Sequence, residues 1–383
     1  MVQVRAPINP AVLLWAIAES GLNVGEVASR IQRPLAEVNA WLTGEHQPTQ
    51  AQLRHIAEQL RRPSAMFYLA EPPVGAGLPA NLRNAPGLGD RGLSLREIRT
   101  IRWMLRVQGT LSWLAEDSGS DLIQIPFVSL DGSAEATASD VRSWLGVVPA
   151  EQMVWRNGKD AYTQWRAKLD SRGVFVTQFQ IDRTAIRGFS AWDPFVPLIA
   201  ANTAYTPQAR AFTLFHELGH LVRRDGSACV GFAGPDDDRA NERWCEEFAA
   251  AVLLPRDETL ELAPSYLSAS SPDAYEVIRG LARVFQASVR ATALRLIELG
   301  RADRSIYDLV DRNAIARHED FPDQGGGGGG EPAAEKRLNQ LGPRAINQLL
   351  GAAETGTITR RDVADYLHLS SNQVSDLSIL ARR

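Results

Sequence analysis

Apolar residues recur every three or four positions along most of this chain, interrupted by glycine, proline and short polar runs. That period marks helices with one buried face, and it predicts a mainly α protein with a small α+β component. Residues 10–70 read as a run of short helices. The first covers 11–19 and closes at Ser20-Gly21; the second covers 24–31, with Val27, Ala28 and Ile31 apolar. A third, 34–42, turns Leu35, Val38, Trp41 and Leu42 inward and stops at Gly44. A fourth opens at Thr49 or Gln50 and carries Leu53, Ile56, Ala57 and Leu60. Helix, tight turn, helix is an arrangement that can lay its second helix in a DNA groove.

The pattern then lapses. Residues 72–94 are rich in Pro and Gly and read as a linker or extended arm. Helical spacing returns over 94–115, 134–145 and 161–169, with Trp144, Trp155 and Trp165 as core or groove residues. Two short apolar runs, 174–179 and 197–201, are the strand candidates. The second could present its edge to an extended peptide or be an ordinary sheet strand. Gly325–Gly330 is a flexible tether. Beyond it, 332–383 forms a small helical module that includes helices over 361–367 and 371–380. The expected organisation is a helix-turn-helix domain over 1–72, a linker over 73–93, a central domain over 94–320, a linker over 321–331 and the module over 332–383.

The stretch that carries chemistry is 211–222, where His216 and His220 stand four residues apart and Glu217 follows the first. On a helix both imidazoles leave the same face, the bite needed for one tetrahedral metal, with zinc the usual occupant. Glu217 lies about 100° around the helix, near enough to reach a metal-bound water without ligating the metal. Phe212, Phe215, Leu218 and Leu221 make the helix apolar, and Pro207 fits its first turn. Gly219 costs helix stability, so its place beside the histidines implies a close approach to the backbone.

Two imidazoles call for a third ligand. Residues 239–255 read as a helix stopped by Pro255, with Trp244, Phe248 and Val252 in one apolar stripe. Glu242 and Glu246 share another face, and in so apolar a helix two carboxylates are expensive unless paired or ligating. Glu242 is assigned as the third ligand, and Glu246 as an acceptor for a ligand histidine N–H. Cys245 is the competing ligand, though a thiol here is more often a small core residue.

Composition narrows the picture further. Hydrophobic content of 44% and charged content of 22% are ordinary for a globular protein, and the net charge of −4 supplies no global pull toward nucleic acid. In 1–72, Arg5, Arg30, Arg33, Arg54, Arg61 and Arg62 balance Glu19, Glu26, Glu37, Glu45, Glu58 and Glu71, so the net charge there is zero. Two cysteines, Cys229 and Cys245, make no disulfide framework, which points to a reducing, cytoplasmic compartment. No run of eighteen apolar residues exists and the first residues lack a signal-peptide pattern, so no membrane association is expected.

Two resemblances add to this reading. Residues 10–65 resemble the helix-turn-helix of phage-repressor-like (Cro/C1-type) regulators, through Val24-Gly25-Glu26-Val27-Ala28, Trp41-Leu42-Thr43-Gly44 and Gln47-Pro48-Thr49. Arg30, Gln32, Arg33 and Asn39 are then the candidate DNA contacts, although the reading helix itself holds no cation. DNA binding and protein docking or dimerisation are both left open. Residues 160–320 resemble the ImmA/IrrE family of zinc peptidases, whose fold is thermolysin-like. The matching residues are Arg187-Gly188-Phe189-Ser190, the 212–220 stretch, Glu242, Cys245, Phe248 and Leu253-Leu254-Pro255. That resemblance implies Zn²⁺ on His216, His220 and Glu242, with Glu217 as general base. It also implies a protein substrate of the repressor type. The family commonly has Asn at the position of Glu246. Tyr162, Tyr205, Arg210 and Tyr266 are left as candidates for an oxyanion-stabilising group. The expected function is a zinc endopeptidase fused to a regulatory domain. The alternative is a DNA-binding stress or antitoxin-like regulator that uses the zincin domain as a protein-binding platform. A cationic helical pair over 277–299, with Arg279, Arg283, Arg290 and Arg295, reads as core or as a second DNA contact.

Overall fold

The structure, a computed structural model, describes residues 5–20, 22–60, 64–72, 82–83, 93–129, 132–182, 185–224, 235–316 and 331–382. The six-glycine tether, His318, Cys229 and most of the 73–93 linker lie outside these residues. The chain divides into two compact units, 1–78 with 90–103, and 79–89 with 104–383.

In the first unit, α1 (Pro10–Ser20), α2 (Val24–Arg30), α3 (Leu35–Thr43) and α4 (Gln50–Leu60) surround a core that includes Leu13, Val27, Val38, Trp41, Leu53 and Ile56. Asn23 caps α2, and Glu26 returns the bond to its backbone N–H. Gly44 closes α3 in the left-handed conformation, where a side chain would be strained. Leu35 departs from expectation: it is 49% exposed, because as the first residue of α3 it lies beyond the end of the packed face. A further helix, α5 (Leu95–Asp117), is divided between the units at Trp103.

The second unit holds β1 (Leu82–Arg83), α6 (Ala134–Leu145), α7 (Pro149–Met153), α8 (Gly158–Ser171), β2 (Phe175–Phe179), β3 (Gly188–Ala191), β4 (Leu198–Asn202), α9 (Pro207–Arg223) and α10 (Pro235–Leu253). It continues with α11 (Arg256–Leu262), α12 (Ala274–Val284), α13 (Val289–Glu298), α14 (Ser305–Ala316), α15 (Ala333–Leu341), α16 (Pro343–Thr355), α17 (Arg360–Leu367) and α18 (Ser371–Leu380). The mainly helical architecture with one small sheet is the expected fold class. Among the described residues no helix is long and apolar enough to cross a membrane.

Strand order is β1-β3-β4-β2, with β4 parallel to β2 and antiparallel to β3. The strand at 197–201, considered as a substrate edge, is therefore a fully buried central strand. Its run of Leu198, Ile199, Ala200 and Ala201, apolar on both faces, suits that place. Helix α9 packs against β3 and β4. Around it, Trp165 meets the rings of Trp155 and Phe215 edge-on at 4.9 and 4.8 Å.

The helices after the tether pack in the same unit, with α15 against β2. The last carbonyls of α15 are satisfied from the sheet side. Arg166 donates to Asn339 O and Gln340 O, Thr177 Oγ1 donates to Gln340 O, and Gln178 Nε2 donates to Asn339 O.

Buried polar side chains tie the far end of α10. Arg142 Nη1 donates to Val252 O and to Gln152 Oε1, while Gln152 Nε2 donates to Leu253 O and Phe285 O. Burial lowers the Arg142 pKa to about 10. Arg295 donates through Nε to Leu254 O and forms ion pairs with Glu135 and Glu298. Of the cationic pair expected at 277–299, Arg279, Arg290 and Arg295 are thus engaged with Glu276, Asp311 and this network.

Burial, aided by Glu247 and Glu135 and opposed by Arg295, raises the Glu298 carboxyl from 4.5 to about 7. A raised acid keeps its proton in the folded chain after the unfolded chain has lost it. Its share of stability is therefore intact below pH 4.5 and is lost as pH rises through about 7. Glu298→Gln should leave stability nearly unchanged at pH 5 and raise it by about 1–3 kcal/mol at pH 8. Urea unfolding at both values checks this, and an equal difference at the two pH values would contradict it.

Candidate metal centre

Helix α9 is started by Thr206, whose side chain accepts from Ala209 N, and by Pro207 at the first turn. Its next ten or so residues are almost wholly buried, so the two histidines and Glu217 are fixed by packing on nearly every side. His216, Glu217 and His220 are each about 1–2% exposed.

Two glycines set the neighbours' distances. At Gly219 a Cβ would lie 3.0 Å from Cys245 Sγ and 3.2 Å from Phe248 Cδ1, so the close approach foreseen there is that of α10. At Gly188 a Cβ would lie 2.4 Å from Thr213 Cγ2 and 2.7 Å from Ala200 O, a space only glycine fits. The first brings α10 onto the face of α9; the second brings β3 over it.

Glu242 stands about one turn before Cys245 on α10 and reaches across to both histidines. Its Oε2 is 3.2 Å from His216 Nε2 and its Oε1 is 3.4 Å from His220 Nε2. The two Nε2 atoms are 3.3 Å apart. Four donors around a tetrahedral zinc at about 2.0–2.1 Å are separated by about 3.3–3.4 Å, the edge of that tetrahedron. The three side chains form a group that could hold a metal ion.

The carboxylate is less enclosed than its helix suggests. Glu242 is 49% exposed at its side chain, because the first turns of α10 leave the core and only the later ones enter it. Glu246 is also exposed. Cys245 Sγ lies 3.6 Å from the back nitrogen of His220, Nδ1. Burial, with the charges of Asp311 and Glu246 adding to it, pushes the Tyr307 phenol on α14 up. Cys245 is fully buried, on the side of the His220 ring opposite Nε2, and so takes no place among the three donors.

In the sequence Ser190 stands out only as the last residue of the Arg187-Gly188-Phe189-Ser190 run. Its Oγ donates to Glu217 Oε2 at 2.9 Å, from a fully buried position on β3. Beside it, the Arg187 guanidinium lies 4.8 Å over the Tyr205 ring, and burial holds it below its ordinary pKa. Tyr266 is exposed and donates to Asp303, while Arg210 stacks 4.3 Å over Tyr162 and donates to Gln178. None of these contacts is with His216, His220 or Glu242.

Residues 169–296 match the family model Peptidase_M78, described as the IrrE N-terminal-like domain. That is a metallopeptidase-type family, and the match spans β2 to α13 with all three members of the metal-binding group inside it. A comparison with curated proteins finds no match. In the other unit, the candidate DNA contacts Arg30, Gln32, Arg33 and Asn39 are all exposed around the turn from α2 to α3.

Gly219→Ala forces a methyl group against Cys245 Sγ. It should destabilise the protein by about 1–3 kcal/mol and weaken zinc binding. Adding Cys245→Ala should recover part of both. Thermal melts with and without zinc check this, and unchanged metal affinity in Gly219→Ala would contradict the spacing argument.

Proposed function

We propose that this protein is a zinc-dependent endopeptidase acting on a protein substrate, with a separate N-terminal unit in a regulatory role. The observation that carries the reading is the convergence of two imidazoles and one carboxylate: His216 Nε2 lies 3.3 Å from His220 Nε2 and 3.2 Å from Glu242 Oε2, and His220 Nε2 lies 3.4 Å from Glu242 Oε1. Two nitrogens and one carboxylate oxygen would leave one vertex of a tetrahedral ion for solvent or substrate. The match to a metallopeptidase-type family supports it.

His216, His220 and Glu242 would hold the ion, and zinc there supplies Lewis acidity toward a scissile carbonyl and toward water. Glu217 is the general base. Its carboxylate takes the proton of the attacking water, keeps it on an oxygen of the same group and passes it to the leaving amine. Ser190 holds Glu217 Oε2, so the carboxylate meets the water in one orientation rather than several. The apolar packing around α9 keeps this proton exchange in a low-dielectric setting, where oriented groups act more strongly.

Glu217→Gln should retain zinc and lower peptide turnover by about 100-fold or more. Ser190→Ala should also retain zinc and lower kcat by roughly tenfold with KM little changed. Metal content by mass spectrometry and cleavage of a quenched-fluorescent peptide library measure both. Turnover that survives Glu217→Gln unchanged would favour a regulator that uses this domain as a binding platform.

A further inference from the structure

Strand β3 runs beside Glu217. Ser190 Oγ donates to Glu217 Oε2, and a Cβ built on Gly188 would lie 3.6 Å from Glu217 Cγ. One side of β3 is paired antiparallel with β4, and its other side faces away from β4 and β2. At the far side of the sheet, β2 carries α15. A bare strand edge offers unpaired N–H and C=O groups, which take up an extended peptide as an added strand. On β3 such a peptide would lie next to the base.

The chain itself holds that position. In β1, Leu82 stands opposite Phe189 and Arg83 opposite Gly188, antiparallel to β3. Paired strands lie about 4.8 Å apart, so the main chain of β1 is one strand's width from the residues that meet Glu217. Residues 79–89 pack with the second unit, although the residues on either side of them, 1–78 and 90–103, belong to the first.

The sequence makes β1 a displaceable occupant. Pro79 stands before it, and Pro86, Gly87 and Gly89 stand after it. Proline gives no N–H to a ladder and glycine weakens a strand, so little on either side favours longer pairing. A peptide with a longer run of strand-forming residues would make more ladder bonds. Against this, a short tether keeps β1 at an effective concentration of about millimolar.

We infer that β1 competes in cis for the edge on which a peptide substrate is held, so that the chain restrains its own peptidase until substrate displaces the strand. The inference rests on the peptidase reading. A competitor of this kind raises KM and leaves kcat alone, because once displaced it touches none of His216, Glu217, His220 and Glu242.

The test uses the full chain with Leu82→Pro and Arg83→Pro together, which removes both N–H groups that β1 can give to β3. A second variant replaces 79–89 with glycine and serine at equal length. Both are compared with wild type on the best-cleaved peptide of the quenched-fluorescent library. KM should fall by about three- to tenfold in each, with kcat unchanged. A synthetic 79–89 peptide added at about millimolar concentration should raise KM back toward wild type. Amide hydrogen exchange across 188–191 should be faster in both variants. If wild type cleaves the peptide and neither variant lowers KM, or if kcat falls instead, the inference is overturned and the peptidase reading stands. If no form of the chain cleaves any peptide, both fall together.

Discussion

Everything at the candidate centre depends on how closely two helix backbones approach. Without a side chain at Gly219, α9 accepts Cys245 and Phe248 of α10 almost against its own main chain. Glu242 stands about one turn before Cys245, so the same contact sets how far its carboxylate is from the imidazoles. A helix displaced outward by the width of a methyl group would open the 3.2 and 3.4 Å separations beyond what one ion can span.

The rest of the unit holds that contact in register. The far end of α10 is tied down by Arg142, Gln152 and Arg295, which satisfy carbonyls that a helix end leaves open. On the other side of α9, Gly188 lets β3 lie close enough for Ser190 to reach Glu217. His216, His220, Glu217 and Glu242 therefore come from α9 and α10, and Glu217 is steadied from the sheet. Cys245 contacts the opposite edge of the His220 ring, which helps set that ring's orientation.

Much of this was legible in the sequence, for a local reason. His216 and His220 share a face because of helical period, and Gly219 beside them announced a close neighbour. Glu242 followed from the chemistry of a carboxylate on an apolar helix, although its partial exposure did not. What escaped was non-local. Whether a strand is an edge depends on strand order, so 197–201 could be read either way until β4 proved to be flanked by β3 and β2. Ser190 meets Glu217 only through sheet-to-helix packing. The helices after the glycine-rich tether were readable as helices, but composition carries no sign that α15 would pack on β2.

The central claim is that Glu242 completes one coordination shell with the two histidines. The most direct measurement is zinc content and zinc affinity of the purified wild-type chain beside Glu242→Ala. The account predicts about one zinc per wild-type chain and a large loss of affinity in the variant, with the fold retained by circular dichroism. Equal zinc content and equal affinity in the two proteins would contradict it.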